Sequence, residues 1–345
     1  MAKVRVGCVG LGFMGKAHFG IYKEHPNAEV VAIADVDDAK LSGDWSKIGG
    51  NIDDPSAKEV DLSGIKLYKD ADELIDDPDV DLVDITLPTF LHFRYVMKAL
   101  ESKKHVLCEK PIALTLQEAD KIVATAGRSK SKFMVAHCIR FWPEYEYLAQ
   151  IMKGKKYGRV KSAIFKRRSV APTWGWQNWL MNQKRSGGAI LDLHIHDTDF
   201  INYIFGTPKK VESAGVPGPS GGIDHIVTNY DFGKSMLVTA EGGWSFHGSY
   251  PFEMAYTVIF DKATVEFSTS QSPTLKVYTS GGKVETPAVA EGTGYSAEID
   301  YFLTCILKNQ KPKIVTPKDA RNAVLVIKAE EKSAKDHRNV AITNA

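Results

Sequence analysis

Two short segments carry the groups best suited to acid–base chemistry. Glu109-Lys110-Pro111 ends an apolar run, and Asp192-Leu193-His194-Ile195-His196 follows Gly187-Gly188. Upstream of both lies Gly10-Leu11-Gly12-Phe13-Met14-Gly15. A lysine, an Asp/His pair and a glycine loop that can cradle phosphates are what is needed to move a hydride and a proton off a hydroxyl group.

In the loop, Gly10 allows a tight turn, Gly12 lets backbone approach a pyrophosphate, and Gly15 lets the next helix pack on the strand before it. That helix offers unpaired N–H groups and a partial positive charge to the pyrophosphate. Gly10, Gly12, Phe13, Met14 and Gly15 are thus the expected cofactor cradle. The plain alternative is a glycine-rich turn with no ligand. A strand before the loop, a helix after it and Asp35 about 20 residues beyond argue against that alternative. Asp35 can accept hydrogen bonds from both adenosine ribose hydroxyls, or it is an ordinary turn acid. It repels a 2′-phosphate, and Asp37 and Asp38 add to the repulsion. No arginine follows in that loop, only Lys40 and Lys47. NAD is therefore expected in preference to NADP.

Thr86-Leu87-Pro88 follows another strand signal, where a doubly wound sheet opens its ligand crevice. Leu87 and Pro88 can line a nicotinamide ribose through backbone. His92 falls in the first turn of the next helix, as a ligand contact or as a capping or packing histidine. Lys110 also sits at a strand's carboxyl end. Burial and a positive oxidised nicotinamide ring lower a lysine pKa, so Lys110 can help remove a hydroxyl proton. Pro111 holds Lys110 in extended conformations. Glu109 is expected to orient Lys110 or to bind the ribose.

In the second segment, Asp192 and His196 are i and i+4, so an α-helix puts them on one face. An Asp beside a His orients the imidazole and raises its pKa toward the range of a proton acceptor. Asp199 continues that face, whereas His194 and Asp197 lie on another. A metal site at Asp192, His196 and Asp199 is a rival reading, but no further His/Cys cluster supports it. A helix with internally satisfied histidines is the other.

Strand and helix signals alternate over the first 125 or so residues, which predicts a parallel, doubly wound sheet. Residues 41–65, with Gly49-Gly50-Asn51 and Asp53-Asp54-Pro55, read as an insertion or long loop. Beyond residue 150 six strand signals, most joined by glycine-rich turns, predict a mainly antiparallel sheet. A helix over about 189–205 interrupts them, and helices over about 295–309 and 317–336 close the chain. The second opens on Thr316-Pro317-Lys318-Asp319, a cap followed by proline in the first turn. The expected division is 1–125, binding the dinucleotide, and 126–345, an α+β domain for substrate and oligomer contacts. The last helix is a candidate to pack back on the first domain.

The chain has 345 residues, which exceeds one ordinary core and agrees with two domains. Hydrophobic residues at 43% and charged residues at 25% describe a globular protein. A net charge of +2, without a basic stripe or acidic tail, points to no nucleic acid. Four cysteines without CxxC spacing argue against a zinc ribbon or disulfide framework and for a reducing compartment, the cytoplasm. The first 15 residues read as a strand rather than a signal peptide, and no apolar run of about 18 residues suggests a membrane span.

With these motifs in hand, the chain resembles the Gfo/Idh/MocA oxidoreductases, inositol dehydrogenase-like, over nearly its whole length. The glycine loop is generic. Glu-Lys-Pro followed by Gly-Gly and then Asp-x-x-x-His, in this order, is specific. The resemblance implies an N-terminal Rossmann domain carrying NAD(P). It also implies a C-terminal open-faced sheet that forms the substrate floor and usually an oligomer interface, hence a homodimer or homotetramer. It implies that Lys110 and His196 handle the proton, that Asp192 positions substrate or histidine, and that the bond before Pro111 is cis. Arg140 matches a position that often faces the active site. Many members carry glycine where this chain has His194, so an extra polar group is expected in the pocket. Trp174, Trp176 and Trp179 form a sugar-stacking wall or interface core. The expected activity is NAD-dependent oxidation of a ring hydroxyl of a sugar, inositol or related polyol. Redox-neutral, NAD-dependent glycoside cleavage and a non-catalytic cofactor-binding regulator are the rivals.

Overall fold

Apolar strands separated by amphipathic helices build the first sheet. The computed structural model describes residues 3–50 and 59–343, so Asn51 and Asp53-Asp54-Pro55 of the expected insertion lie outside the described residues. Two units emerge. One holds the residues through Cys138, with Trp174–Trp179 and Gly294–Arg321; the other holds Ile139–Thr173, Leu180–Thr293 and the residues from Asn322 onward. The boundary expected at 125/126 falls inside a helix, Leu116–Arg128, and the strand after it still belongs to the first sheet.

The first unit runs β1 (Val4–Val9), α1 (Phe13–Glu24), β2 (Ala28–Ala34), α2 (Asp38–Leu41), β3 (Lys66–Tyr68), α3 (Ala71–Asp76), β4 (Leu82–Ile85), α4 (Thr89–Glu101), β5 (His105–Glu109), α5 (Leu116–Arg128) and β6 (Phe133–Ala136). Its six strands are ordered β3-β2-β1-β4-β5-β6, and every pair is parallel. Helices on both faces bury such strands completely, which is why β4 and β6 are buried at every position. The strand order reverses between β1 and β4, and ligand crevices of doubly wound sheets open at that point. The strand ends there lead into Gly10 and Thr86. β3 and α3 were not expected from the sequence: β3 is three residues long with two exposed, too short to show an alternation. Part of the expected loop packs instead, since Trp45 is buried edge-on against Phe19 of α1 at 4.8 Å.

The second unit contains α6 (Pro143–Lys153), β7 (Val160–Val170), α7 (Gln183–Ser186), a π-helical turn Ile190–His194, α8 (Ile195–Phe205), β8 (Lys210–Pro217), β9 (Ile223–Asp231), β10 (Leu237–Phe246), β11 (Glu253–Phe260), β12 (Ala263–Ser268), β13 (Leu275–Thr279) and β14 (Val284–Glu285). The chain then forms α9 (Gly294–Leu307), which packs on α1, β1 and β6 of the first unit. It ends in α10 (Pro317–Asp336) and β15 (Val340–Ala341). The first turn of α10 groups with the first unit, where Arg321 Nε donates to Asp120 of α5 at 2.8 Å. Thr316 and Asp319 form the expected cap: the Thr316 hydroxyl accepts from the Asp319 N–H at 3.2 Å, and the Asp319 carboxylate accepts from the Thr316 N–H at 2.8 Å.

The second sheet is ordered β14-β13-β12-β11-β7-β10-β9-β8-β15, and only β7 and β10 pair in parallel. One face is covered by the π turn and α8, which pack on β7, β9 and β10. Register places Ile164, Val227, Leu237, Ile259 and Tyr278 together on the opposite face. These five are between 39% and 73% exposed. Unexpected β12 follows β11 after the two-residue turn Asp261-Lys262, with Ala263, Val265 and Phe267 buried on alternate positions. Unexpected α6 carries Pro143 at its first position, where a missing N–H costs nothing.

Candidate active site

The glycine loop leaves β1 at Gly10, whose φ of +90° suits glycine. A Cβ on Gly15 would sit 1.9 Å from the Gly10 carbonyl oxygen, so α1 meets the strand end as closely as backbone allows. At Gly12, a Cβ would meet nothing within 4 Å. Gly12 is also the N-cap of α1, and no side chain caps that helix. Open space over uncapped N–H groups fits a dinucleotide pyrophosphate. Phe13 and Met14 form the first turn of α1, and Gly50 packs against the Phe13 ring.

Several expected cofactor residues spend their side chains on the loop itself. The Thr86 hydroxyl donates to the Gly10 carbonyl at 2.6 Å. Asp35, at the end of β2, accepts the Leu11 N–H at 2.7 Å, the Asp37 N–H at 2.9 Å and the Lys40 ammonium at 3.1 Å. Lys40 is therefore a direct partner of Asp35, which its place in the sequence did not show. His92 is buried with Nε2 2.8 Å from the Leu87 carbonyl oxygen and Nδ1 2.7 Å from that of Pro111. Both ring nitrogens are thus committed to backbone, and His92 ties the loop after β4 to the loop after β5. Pro88 is the N-cap of α4.

Lys110 is half-buried immediately after β5, and the Lys110–Pro111 bond is cis. Glu109 Oε2 accepts the Lys110 backbone N–H at 3.0 Å. On its other side Glu109 Oε1 lies 3.5 Å from His18 Nε2, and His18 Nδ1 lies 2.9 Å from Asp84 Oδ2. Sequence reasoning missed this group. Its one legible signal was Asp84, an acid inside the apolar run of β4, because a buried charge requires a partner.

In the second unit, Asn182 caps α7 and Gly187 ends it in the left-handed conformation. Gly188 follows with φ of +75°, its N–H donated to the Ser186 hydroxyl at 3.0 Å. The Asp224 carboxylate accepts the Ala189 N–H at 3.1 Å. The chain then makes the π turn rather than continuous α-helix, so the i, i+4 face argument does not carry through Asp192 unchanged. Accessibility nevertheless singles out the same pair. Between Leu191 and Phe200 every residue is buried except Asp192 and His196.

The buried neighbours hold that stretch. Arg140 Nε and Nη2 each donate to Asp199 at 2.7 Å, with the guanidinium 4.7 Å from the Tyr203 ring centre. Arg167 pairs with Asp197 at 2.9 and 3.1 Å and also donates to the Tyr145 hydroxyl at 3.2 Å. Arg140, expected at the substrate, is 4% exposed and tethers α8 through Asp199. Asp199 in turn is engaged by Arg140, against the rival metal reading. His194 also departs from expectation. It is buried, with Nε2 2.9 Å from Glu330 of α10 and 3.3 Å from the Tyr230 hydroxyl, and Gly242 packs on its ring. An extra polar group in a pocket is replaced by a tie between the π turn, β9 and α10. Of the three tryptophans, Trp174 packs on Gly49 and Trp176 is 40% exposed.

A doubly wound parallel sheet with this glycine loop defines a dinucleotide-binding fold. Residues 4–137 match the oxidoreductase family with an NAD-binding Rossmann fold, and residues 145–266 match the GFO/IDH/MocA C-terminal domain. The chain belongs to the Gfo/Idh/MocA oxidoreductase family. It is 26% identical to a myo-inositol 2-dehydrogenase of Thermotoga maritima, over 98% of each chain. It is 28% identical to a 2,7-anhydro-N-acetylneuraminate hydratase of Escherichia coli over 71% of this chain, and that match spans 63% of the hydratase's length. A levoglucosan dehydrogenase in complex with NADH and levoglucosan shares the fold with a TM-score of 0.84, at 22% identity, over 99% of this chain and 100% of that one. No helix among the described residues is long and apolar enough to cross a membrane.

Truncating one partner of a buried ion pair leaves the other uncompensated. Arg167→Met is therefore expected to cost about 3–5 kcal/mol, read from urea unfolding at neutral pH. A loss below about 1 kcal/mol, the size of an exposed pair, would contradict the clamp on α8.

Proposed function

We propose that this protein oxidises a ring hydroxyl of a sugar, inositol or related polyol, with NAD as hydride acceptor. The observation that carries the reading is the half-buried Lys110 at the carboxyl end of β5, its backbone fixed by Glu109. The names of the inositol and levoglucosan dehydrogenases support the substrate class. When bound, the oxidised dinucleotide supplies the site that takes up the hydride. The chain's own residues manage the rest. Gly12 and the first turn of α1 receive phosphate, and Asp35, flanked by Asp37, favours a ribose with free hydroxyls. Lys110 hydrogen-bonds the reacting hydroxyl. The proton leaves to Lys110 or His196, and Asp192 orients the histidine or the substrate. Arg140 supports this from a distance, by holding α8.

The first test is reduction of NAD by the purified protein across sugars, inositols, sugar acids and nucleotide sugars. Lys110→Ala is expected to lower turnover about 10²- to 10⁴-fold, the range for a general acid–base group, with NAD affinity unchanged in a binding titration. Near-normal turnover would remove Lys110 from the reaction. The second reading is redox-neutral, NAD-dependent glycoside cleavage, to which the similarity to a hydratase lends only weak support. In that case NAD stays bound and no reduced nicotinamide accumulates with any member of the panel.

The partner of the open sheet face is a second copy of the chain, in a homodimer or homotetramer. Four large apolar side chains from the adjacent strands β11, β7, β10 and β9, with Tyr278 of β13 beyond them, support that reading, since exposed apolar patches mark interaction surfaces. Ile164→Glu, at the middle of β7, is expected to shift the mass in light scattering to that of one chain. An unchanged assembly would place the interface elsewhere.

A further inference from the structure

Four titratable side chains are buried together beneath the end of β5: His18 of α1, Asp84 of β4, Glu109 of β5 and Glu298 of α9. All but Glu109 are wholly inaccessible, and Glu109 is 7% exposed. Three of them form a chain that leads to Lys110. Asp84 holds His18 Nδ1 at 2.9 Å, His18 Nε2 faces Glu109 Oε1 at 3.5 Å, and Glu109 Oε2 accepts the Lys110 N–H at 3.0 Å. Two carboxylates this deep require a cation between them, since removing ions from water costs several kcal/mol each unless they are paired.

The electrostatics agree. Burial works against the His18 cation, but Asp84 and Glu109 outweigh it and hold its pKa well above that of a free histidine. Burial also pushes Glu109 up, yet His18 and Lys110 bring it below the usual carboxylate range. Burial raises Asp84, against the pull of His18. It pushes Glu298 well above the usual carboxylate range, against a third negative charge there. Cys8, Tyr22 and Cys108 also face the group, and burial keeps each protonated. His92 of α4 faces Glu109 from the far side, and burial lowers its pKa.

We propose that His18 is a positioning residue for Lys110. Charged and held by Asp84, it fixes the Glu109 carboxylate, and that carboxylate fixes the backbone amide from which the Lys110 side chain projects. α1 begins on the glycine loop and carries His18 three residues beyond Gly15. The helix that receives the dinucleotide therefore also anchors the lysine that handles the proton. This rests on the role given to Lys110 above.

The test uses the full chain with His18→Asn and Glu109→Gln, and its main readout needs no substrate. Hydrogen exchange at the Lys110 amide is expected to be about tenfold faster in each variant, the effect of losing roughly 1.4 kcal/mol of local stability. With the substrate found by the panel, kcat is expected to fall about 10²-fold for small misplacement of a catalytic group, with KM and NAD affinity little changed. The double variant is expected to be no worse than the poorer single one, because both break the same chain. Unchanged exchange at Lys110 in a folded variant would overturn the proposal and leave His18 a plain core ion pair. If His18→Asn does not fold, Glu109→Gln keeps the side-chain shape and decides. If Lys110→Ala keeps full turnover while exchange responds, the anchor stands and the catalytic role of Lys110 falls.

Discussion

α1 approaches the end of β1 so closely that the Gly10 carbonyl and the Gly15 Cα leave no room for a methyl group. Much of the first unit depends on that contact. It sets where the helix begins and so where its uncapped N–H groups point. It places His18 between β4 and β5, and Phe19 against Trp45. Thr86 and Asp35 reinforce it from neighbouring strands by bonding the loop's backbone. Residues that a motif reading assigns to the ligand thus first build the surface the ligand meets.

The second unit solves a similar problem with charge. A π turn is a poor platform for an accessible Asp and His, since it breaks the regular ladder of hydrogen bonds. Here three buried partners hold the turn and the helix that continues from it: Glu330 on His194 of the turn, Arg167 on Asp197 and Arg140 on Asp199 of the helix. Each pair is expensive to desolvate, and replacing it by apolar packing is often neutral for stability. What the two arginine pairs contribute is direction, because a bidentate guanidinium donates to a carboxylate in few orientations.

The doubly wound sheet was legible because buried parallel strands leave continuous apolar runs, and β6, β7, β13, α5 and α10 have the bounds their patterns indicate. Elements such as β3 and α3 were not, since three to six residues show too little periodicity to register. In the candidate site, spacing singled out Lys110, Asp192 and His196 as candidates, but the partners of the residues around them were not legible. Arg140 looks like a ligand residue until Asp199, distant in sequence, is placed against it. His194 misleads for the same reason, its partner Glu330 lying on another helix. The π turn left no trace in the sequence pattern. Asp84 could be read as a charge in need of a partner, but nothing local identified that partner as His18.

His92 has a consequence for the crevice walls. Burial pushes its pKa down, so the ring is neutral and carries one N–H. Yet both nitrogens face carbonyl oxygens, of Leu87 on one wall and Pro111 on the other. One proton serves two acceptors, and at any instant one wall is bonded while the other meets a lone pair. The two loops are therefore rivals for a single tautomer. Anything that draws the Leu87 carbonyl away leaves the proton on Nδ1, donated to the Pro111 carbonyl on the lysine's side of the crevice.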